Sequence, residues 1–457
     1  MPADRVFDEL RRLLGDRLST AQSVREQHGR DESPLAPALP DAVAFPHSTG
    51  EVAEIVKVCA GAGVPVVPFG AGTSLEGHVL ATSGGVSLDL TGMNEVVRLS
   101  VADLDVTVQA GITRNALSEV LAKEGLFFPV DPGADATIGG MAATGASGTT
   151  TVRYGTMREN VLALQVVLAD GRVIETARRA RKSSAGYDLT HLFVGSEGTL
   201  GVITEVTLRI HGIPEAIAGA VCRFPDIGSA VRAVTAVLQV GIPVARIEFV
   251  DELAIEAINA YAGLSYPIAP LLLLEFHGSE AGVLEQSASV GEIVTELGAT
   301  DYRSAVDAQE RASLWRARHD SFYASLALRP GAKAITTDVC VPISRLADCI
   351  LATRADIDAH GLVATMVGHV GDGNFHVMML VDPDDPSEMK MAEEMNQRLV
   401  ARALDMDGTS TGEHGIGLHK MEFLTRELPG GVDVMRSLKR TLDPHNIMNP
   451  GKVVAFD

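Results

Sequence analysis

The stretch Phe69–His78, FGAGTSLEGH, is a glycine-rich loop that bears directly on the type of fold. It follows an apolar run, Val64–Pro68, that predicts a short buried strand. Glycine allows a backbone to approach a ligand closely, and successive N–H groups in such a loop form an anion-binding nest without a lysine. The loop therefore predicts contact between the backbone and phosphate.

Three further glycine-rich loops, at 131–148, 153–158 and 195–201, repeat this pattern. The standard nucleotide motifs do not fit them. Residues 140–147 have the glycine spacing of a P-loop but carry Ala146 where that motif requires lysine, and 195–201 is not the dinucleotide fingerprint. A P-loop ATPase and a nicotinamide Rossmann enzyme are thus disfavoured, and the four loops together predict a large phosphorylated cofactor.

The length and composition exclude several classes of protein. A chain of 457 residues is long enough for two or three domains. Its net charge of −21 argues against a nucleic-acid partner and against docking on an anionic membrane by charge alone. No apolar run reaches the length of a membrane-spanning segment.

The N-terminus and the cysteines predict a cytoplasmic location. The first ten residues lack the apolar core of a signal peptide, and their acidic residues do not fit a mitochondrial presequence. The four cysteines show no CxxC spacing and are expected to be buried thiols in a reducing compartment. Peripheral attachment to the inner face of a membrane is left open.

The order of the elements predicts an α+β protein. Up to about residue 214, strands outnumber helices and alternate with them irregularly, which is not the pattern of a doubly wound array. Thr113 is expected to cap a helix over 114–123, and an Asp170–Gly171 turn is expected to form a hairpin. After Pro214 a second α+β domain is predicted, including one long helix over 308–328.

The stretch Gly368–His376, GHVGDGNFH, predicts a hairpin that carries two histidines. An Asp-Gly pair between the apolar runs 366–370 and 375–380 is a strong turn signal, and the turn would bring His369 and His376 together. Neighbouring imidazoles are a common start for a metal site. The alternative is a buried hairpin with satisfied core histidines.

The stretch Thr411–Gly417, TGEHGIG, offers a carboxylate and a third imidazole. With Glu413, the two hairpin histidines make an open three-ligand set, as expected of a catalytic metal. His414 is adjacent to Glu413 and is expected to point elsewhere, where it can move a proton. A metallohydrolase could use the same set around an activated water, but it would leave the four phosphate-binding loops unexplained.

The loops 68–77, 131–140 and 195–201, with the terminal NPGK of Asn449–Lys452, resemble the FAD-binding domain of the vanillyl-alcohol-oxidase-type flavoproteins. With 368–376 and 411–417 added, the chain resembles the FAD-linked D-2-hydroxyacid dehydrogenases, and among these the cytochrome-type D-lactate dehydrogenases. The resemblance implies a two-part FAD-binding domain plus an α+β cap domain. The implied segments are 1–39 (N-terminal helical), 40–215 (FAD-binding), 216–420 (cap, substrate and metal) and 421–457 (returning to the FAD domain).

The resemblance also implies roles for individual residues. His369, His376 and Glu413 match the ligands of a divalent metal (Zn²⁺, Mn²⁺ or Fe²⁺), His414 matches the catalytic base, and Arg318 and Lys333 match contacts to the substrate carboxylate. Asn374, beside the two histidines, is expected to hydrogen-bond the substrate or the flavin, and the alternative is an asparagine that stabilises the turn. FAD is expected to be noncovalent, although some relatives attach it through a histidine at the place of His78. The implied cofactor-binding residues are Pro68, Gly70, Ala71, Gly72, Thr73, Ser74, Gly77, His78, Pro132, Gly133, Thr137, Gly139, Gly140, Ala143, Thr144, Ser147, Gly148, Tyr154, Gly155, Glu197, Gly198, Gly201, Ile203 and Asn449.

The expected reaction is oxidation of a D-2-hydroxy acid, with D-lactate to pyruvate as the leading case and hydride transfer to flavin N5. D-2-hydroxyglutarate dehydrogenase and the flavin subunit of a glycolate-oxidising complex are the alternatives. The electron acceptor is a cytochrome, a quinone or an electron-transferring flavoprotein. The oligomeric state is open, with a homodimer among the options.

Overall fold

The computed structural model describes residues 3–456, and the chain forms two compact units. The first unit contains Met1–Ser147, Gly155–Ile213 and Glu413–Asp457, and the second contains Gly148–Tyr154 and Pro214–Gly412. The sequence-based division placed its boundaries at 215 and 420 and did not separate residues 148–154. The functional roles assigned to the four predicted segments stay predictions.

The strands of the described residues are numbered here in chain order. They are β1 (Leu18–Ser19), β2 (Ala42–Ala44), β3 (Val66–Phe69), β4 (Val86–Asp89), β5 (Val96–Ser100), β6 (Asp105–Gln109), β7 (Leu126–Phe127), β8 (Val161–Val167), β9 (Val173–Glu175), β10 (Val202–Arg209), β11 (His211–Gly212), β12 (Ala216–Arg223), β13 (Val244–Val250), β14 (Leu271–Gly278), β15 (Thr300–Ala305), β16 (Lys333–Thr336), β17 (Val339–Cys340), β18 (Ala364–Gly368) and β19 (Asn374–Val381).

The helices are numbered in the same way, and a short 3-10 helix covers Gly15–Arg17. They are α1 (Ala3–Leu14), α2 (Gln22–His28), α3 (Thr49–Ala60), α4 (Arg114–Ala122), α5 (Ile138–Thr144), α6 (Thr151–Tyr154), α7 (Met157–Asn160), α8 (Leu189–Phe193), α9 (Ile227–Gln239), α10 (Glu252–Ala262), α11 (Glu280–Glu296), α12 (Ala308–His319), α13 (Ser321–Ala327), α14 (Ile343–His360), α15 (Pro386–Leu404), α16 (Met421–Glu427) and α17 (Pro429–Leu442).

The first unit is built on two main sheets. One has the order β1-β2-β4-β3, with parallel pairing of β2 and β3 to β4, and the other is an antiparallel sheet of order β5-β6-β10-β8-β9. Each sheet buries apolar side chains in a core of its own, as its alternating pattern requires. The mixture of sheets and helices confirms the predicted α+β class.

Local signals in the first unit act as the sequence predicts. The Thr113 side chain accepts a hydrogen bond from the Ala116 N–H and caps α4. The turn between β8 and β9 contains Gly171 at φ +79°, and the two strands pair antiparallel. Both predictions are confirmed because they depend on residues close together in the chain.

The C-terminal segment adds to the first sheet of this unit. The Val66 N–H on β3 donates to the Ile447 carbonyl at 2.7 Å, and the Asn449 N–H donates back to the Val66 carbonyl at 2.8 Å. The buried Lys439 ammonium donates to the Thr199 and Met448 carbonyls at 2.9 and 2.7 Å. These bonds hold residues 447–449 beside the glycine-rich loop that follows β3.

The second unit is one antiparallel sheet with helices packed on it. Its order is β15-β12-β14-β13-β18-β19-β16, and β17 pairs with β19. Helices α10, α12 and α13 cover a patch that contains Val221, Val250, Leu273 and Val367. Side chains alternate along a strand, so Glu248 on β13 lies on the same face as Val250.

The register places a second polar residue on that face. Val250 pairs with Val367, and Val367 pairs with His376 on β19. Residues paired directly across strands point to the same side of a sheet. His376 and Glu248 therefore share the face that α10, α12 and α13 partly cover.

The single helix predicted over 308–328 is wrong in one respect. The structure divides it into α12 and α13 at Asp320, which ends the first helix and begins the second. The Asp320 N–H donates to Arg316, and the Asp320 carbonyl accepts from Ala324. Apolar periodicity continues through such a break, so the pattern alone does not reveal it.

A bidentate ion pair anchors the N-terminal segment of the first unit. The Arg17 guanidinium donates to both Glu51 carboxylate oxygens, each at 2.6 Å. This pairing, helped by the His47 N–H, lowers the pKa of Glu51 from 4.5 to about 2. A carboxyl whose pKa is lower in the folded state stabilises the fold above its unfolded pKa and loses that effect as the pH falls.

We expect Glu51→Gln to lower the free energy of unfolding by about 1 kcal/mol at pH 7, since both side chains are partly exposed. The difference from the unsubstituted protein should shrink as the pH falls from about 4.5 towards the folded pKa of about 2. Urea unfolding at pH 7, 5 and 3.5 measures it. A difference that stays constant down to pH 3.5 would contradict the assignment.

Candidate active site

The glycine-rich loops of the first unit pack closely on one another. A Cβ on Gly70 would lie 2.3 Å from the Thr137 Oγ1, and one on Gly198 would lie 3.0 Å from the Pro68 Cγ. Gly72 adopts φ +69°, a left-handed conformation that a side chain disfavours. The loops that contain Gly70, Thr137 and Gly198 thus form one cradle of closely spaced backbone.

Asn449 joins two of these loops from the C-terminal segment. Its Nδ2 donates to the His78 carbonyl at 3.0 Å and to the Glu197 carbonyl at 2.7 Å. The Asn449 Oδ1, the His78 Nδ1 and the Ser196 Oγ are buried without a hydrogen-bond partner within residues 3–456. Buried polar atoms are normally paired. A polar cofactor bound in the cradle fits these three atoms.

Glu197 connects the cradle to the segment that carries Glu413 and His414. It accepts hydrogen bonds from the Ile416 and Gly417 N–H groups, each at 2.7 Å, and lies 3.2 Å from the His78 Nε2. Burial lowers the pKa of His78, but the Glu197 carboxylate raises it above its ordinary value. Glu197, which the family resemblance assigns to the cofactor, therefore also fixes the backbone of 416–417.

A second buried carboxylate lies behind His414. The His414 Nδ1 is 3.4 Å from the Glu76 Oε1, and the Lys420 ammonium is 2.9 Å from the same oxygen. Burial raises the pKa of Glu76, but Lys420 and the neighbouring imidazoles hold it well below its usual range. An ionised carboxylate beside an imidazole orients it and stabilises its protonated form. The Ser147 hydroxyl donates to Glu413 at 2.7 Å.

In the second unit, the predicted hairpin brings His369 and His376 together. Strands β18 and β19 pair antiparallel, and the turn between them contains Gly373 at φ +84°. The two imidazole rings lie 5.5 Å apart between centroids, at an interplanar angle of 83°. The predicted proximity of the two side chains is confirmed.

Both histidines are oriented through Nδ1. The His369 Nδ1 lies 2.7 Å from the Glu248 Oε1, and the His376 Nδ1 lies 3.0 Å from the Thr337 carbonyl. Acceptors at these positions make Nδ1 the protonated nitrogen and leave the lone pair on Nε2. Metal-binding histidines usually have this second contact, which fixes the tautomer and the ring orientation.

Glu248 also binds the arginine predicted to contact substrate. The Arg318 Nε donates to the Glu248 Oε2 at 2.9 Å, and Arg318 is largely buried. Sequence reasoning missed Glu248. The available signal was an acidic residue inside the otherwise apolar strand pattern of β13, VARIEFV, because a buried charge requires a partner.

Asn374 is held beside the histidines by Asp338. Its Nδ2 donates to the Asp338 Oδ1 and to the Val339 carbonyl, both at 2.9 Å, while its buried Oδ1 has no hydrogen-bond partner within the described chain. A Cβ on Gly412 would lie 2.3 Å from the Asn374 Nδ2, so glycine is required there. Lys333 begins β16 and is partly buried.

The other residues predicted to bind the cofactor lie in several places along the chain. Ala71, Thr73, Ser74 and Gly77 follow β3; Pro132, Gly133, Gly139, Gly140, Ala143 and Thr144 precede or form α5; Gly155 precedes α7; and Gly201 and Ile203 precede or begin β10. Ile203 is a buried core residue of the antiparallel sheet. Gly148 and Tyr154 belong to the second unit, where the Tyr154 hydroxyl lies 2.7 Å from the His277 Nδ1.

Two protein families match most of the chain. The FAD binding domain family matches residues 40–177, and the C-terminal domain family of the FAD linked oxidases matches residues 213–453. The second match alone covers more than half of the sequence. Both agree with the FAD-binding fold predicted from the glycine-rich loops.

Relatives from other organisms match along nearly the whole chain. A probable mitochondrial D-lactate dehydrogenase of Danio rerio is 53% identical, over 99% of this chain and 92% of the relative. A mitochondrial D-lactate dehydrogenase [cytochrome] of Arabidopsis thaliana is 46% identical, over 98% of this chain and 80% of the relative.

A solved structure supports the fold. The 4-ethylphenol oxidase from Gulosibacter chungangensis superposes with a TM-score of 0.80, over 99% of this chain and 97% of the other, at 18% identity. At that identity the likeness concerns the fold alone. The predicted vanillyl-alcohol-oxidase type of fold is confirmed.

The predicted cytoplasmic location is wrong. The finding against it is that both relatives are named as mitochondrial proteins. The prediction rested on the first ten residues and on the four cysteines, and neither feature decides the compartment. Separately, no helix within residues 3–456 has the length and apolar character needed to cross a bilayer.

We expect Asn449→Ala to weaken FAD binding at least tenfold, because it leaves the His78 and Glu197 carbonyls without their donor and loosens two loops. Asn446→Ala is the matched control, since Asn446 also has a positive φ, of 50°, in the same segment. FAD dissociation constants from fluorescence titration of the apoprotein measure the effect. Equal losses in both variants would attribute the effect to backbone strain alone.

The comparisons and the geometry agree on the type of protein. The family matches cover both units, the relatives are similar from end to end, and the loops of the first unit form a cradle with unsatisfied polar atoms. The chain therefore belongs to the FAD-linked oxidases and is an FAD-dependent oxidoreductase.

Proposed function

We propose that this protein is an FAD- and divalent-metal-dependent dehydrogenase of D-2-hydroxy acids, with D-lactate to pyruvate as its leading reaction. The observation that carries the proposal is the pair His369 and His376, each with an acceptor at Nδ1, which places the metal-binding lone pair on Nε2. Relatives at 53% and 46% identity are named D-lactate dehydrogenases, which supports this choice of substrate.

His369, His376 and Glu413 are proposed as the metal ligands. Two imidazoles and one carboxylate suit Zn²⁺, Mn²⁺ or Fe²⁺ and leave positions open for a chelating substrate. When bound, such a metal supplies Lewis acidity that lowers the pKa of a substrate hydroxyl, and bound FAD supplies a hydride acceptor at N5. The remaining tasks, which are removal of the hydroxyl proton and binding of the substrate, are carried out by side chains of the protein.

His414 is proposed as the general base. It takes the proton of the substrate hydroxyl while the hydrogen on the adjacent carbon leaves with its electron pair, so that a 2-oxo acid is formed. Glu76, 3.4 Å from the His414 Nδ1, stabilises the imidazolium that results. This arrangement resembles the acid–histidine pair of hydrolases, in which the carboxylate orients the base without taking the proton.

Arg318, Lys333 and Asn374 are proposed to bind the substrate. A guanidinium holds a carboxylate through two N–H groups in a fixed plane, and Lys333 would add a second positive charge. The Asn374 Oδ1, buried and without a hydrogen-bond partner in the described chain, can accept from a hydroxyl. Its Nδ2 bonds to Asp338 and Val339 already fix which way the amide points.

FAD is proposed to bind noncovalently. His78 is paired with Glu197 through Nε2, which holds the ring in one orientation. A separate acceptor would take the electrons of the substrate carbon–hydrogen bond, and a cytochrome is the first choice because one relative is named for it. A cytochrome haem accepts one electron, so the two electrons of each substrate molecule would reduce two cytochromes.

We expect D-lactate, and not L-lactate, to bleach the visible flavin band of the purified protein under anaerobic conditions. Removal of metal with a chelator should abolish the bleaching, and added Zn²⁺ or Mn²⁺ should restore it. If D-lactate leaves the flavin oxidised but D-2-hydroxyglutarate or glycolate reduces it, that compound replaces D-lactate as the proposed substrate. If the chelator has no effect on the bleaching, the proposed metal dependence is wrong.

We expect His414→Ala to slow flavin reduction by D-lactate by about 10²–10⁴-fold while FAD remains bound, since this is the usual contribution of a general base. His419→Ala is a useful comparison, because the His419 Nδ1 lies 3.0 Å from the same Glu76 carboxylate. Stopped-flow reduction measures both variants. Similar rates for His414→Ala and the unsubstituted protein would exclude His414 as the base.

A further inference from the structure

Glu248 is the most completely buried charged residue near the second unit's histidines, with an exposed fraction of 0%. It lies in the middle of β13, between the apolar residues Ile247 and Phe249. The proposed mechanism gives it no role. A carboxylate in such a position is costly unless both of its oxygens are paired.

Both Glu248 oxygens are paired, and both partners belong to the proposed site. Oε1 lies 2.7 Å from the His369 Nδ1, and Oε2 lies 2.9 Å from the Arg318 Nε. One partner is a proposed metal ligand and the other a proposed substrate contact. A single buried side chain therefore orients two groups whose tasks differ.

We propose that Glu248 is a shared positioning residue, which fixes the tautomer of His369 for the metal and the plane of Arg318 for the substrate carboxylate. This inference rests on the function proposed above. It predicts that metal affinity and substrate affinity depend on one side chain. Neither property requires Glu248 to touch the metal or the substrate.

The chemistry of each contact explains how this works. A carboxylate at Nδ1 keeps the His369 proton on that nitrogen and makes Nε2 a stronger electron-pair donor. A guanidinium has five N–H donors, and the contact with Glu248 engages the Nε edge. The plane of Arg318 is thereby set before a substrate binds, which lowers the ordering cost of binding.

His376 provides an internal reference for this inference. Its Nδ1 contact is the Thr337 carbonyl at 3.0 Å, a backbone atom that no substitution of Glu248 removes. A change at Glu248 should therefore alter the tautomer of His369 and leave that of His376 as it is. A general loss of structure would disturb both.

The competing explanation is that Glu248 and Arg318 form only a buried ion pair, which stabilises the second unit and has no effect on metal or substrate binding. Arg329 and Glu388 supply a control for it, because they form another ion pair in the same unit, with contacts of 2.6 and 3.0 Å. Glu388→Gln removes the charge of that pair. It should lower stability without affecting metal or substrate affinity.

The decisive variant is Glu248→Gln. Glutamine has the same shape, but its NH2 group replaces one carboxylate oxygen, so either His369 or Arg318 faces a donor in place of its acceptor. We expect the dissociation constant for Mn²⁺ or Zn²⁺, measured by competition with a fluorescent chelator on the FAD-loaded protein, to rise 10–100-fold. The KM for D-lactate should rise as well, while the FAD content stays unchanged.

The tautomer is measured on metal-free, FAD-loaded protein with ¹⁵N-labelled histidine. The unsubstituted protein should show His369 protonated at Nδ1, and Glu248→Gln should give a mixture at His369 but not at His376. Glu248→Asp keeps the charge on a shorter side chain and should recover part of the metal affinity. This recovery would not follow from a loss of stability alone.

Two results would overturn the inference. One is His369 protonated at Nε2 in the unsubstituted protein, a result that needs no variant to fold. The other is a folded Glu248→Gln variant whose metal dissociation constant and KM match those of Glu388→Gln. If the unsubstituted protein binds no divalent metal, or D-lactate does not reduce its flavin, the proposed function fails instead, and the tautomer still tests the orientation of His369.

Discussion

A buried carboxylate must be paired, and this constraint organises the candidate functional residues of both units. Glu76, Glu197 and Glu248 are all at most 6% exposed. Each is compensated by groups that belong to, or directly hold, a candidate functional segment. Because removing one partner of a buried charge is far more costly than removing a surface pair, these three side chains fix their partners in place.

In the first unit, two of these carboxylates act on one segment. Glu197 binds the Ile416 and Gly417 N–H groups, and Glu76 lies beside His414 and Lys420. The same Glu197 supplies the carbonyl that Asn449 binds. The proposed base and the FAD cradle are thus held by one hydrogen-bonded network, so that the cofactor loops and the proton acceptor keep a fixed relation within this unit.

The sequence predicted most of the local features, such as turns, caps and loops, but fewer of the contacts between residues that are distant in the chain. The hairpin turn at Gly373, the Thr113 cap and the glycine-rich loops were predictable, because each depends on residues within a few positions. The break at Asp320 was not, since apolar periodicity runs through it. Glu248 was missed because its two partners lie 121 and 70 residues away in the chain. The location was predicted wrongly because three acidic residues among the first ten are weak grounds for a compartment.

By itself, the sequence determined the α+β class, the FAD-binding loops and the two histidines that a turn brings together. These features follow from short-range rules on turns, glycine conformations and alternating side chains. Only the tertiary structure decided which carboxylate faces which imidazole, and that residues 148–154 join the second unit. The physical reason is that a buried charge needs a partner, and that partner can lie far away in the sequence. The sequence shows that a partner is needed, but only the packed fold determines which residue it is.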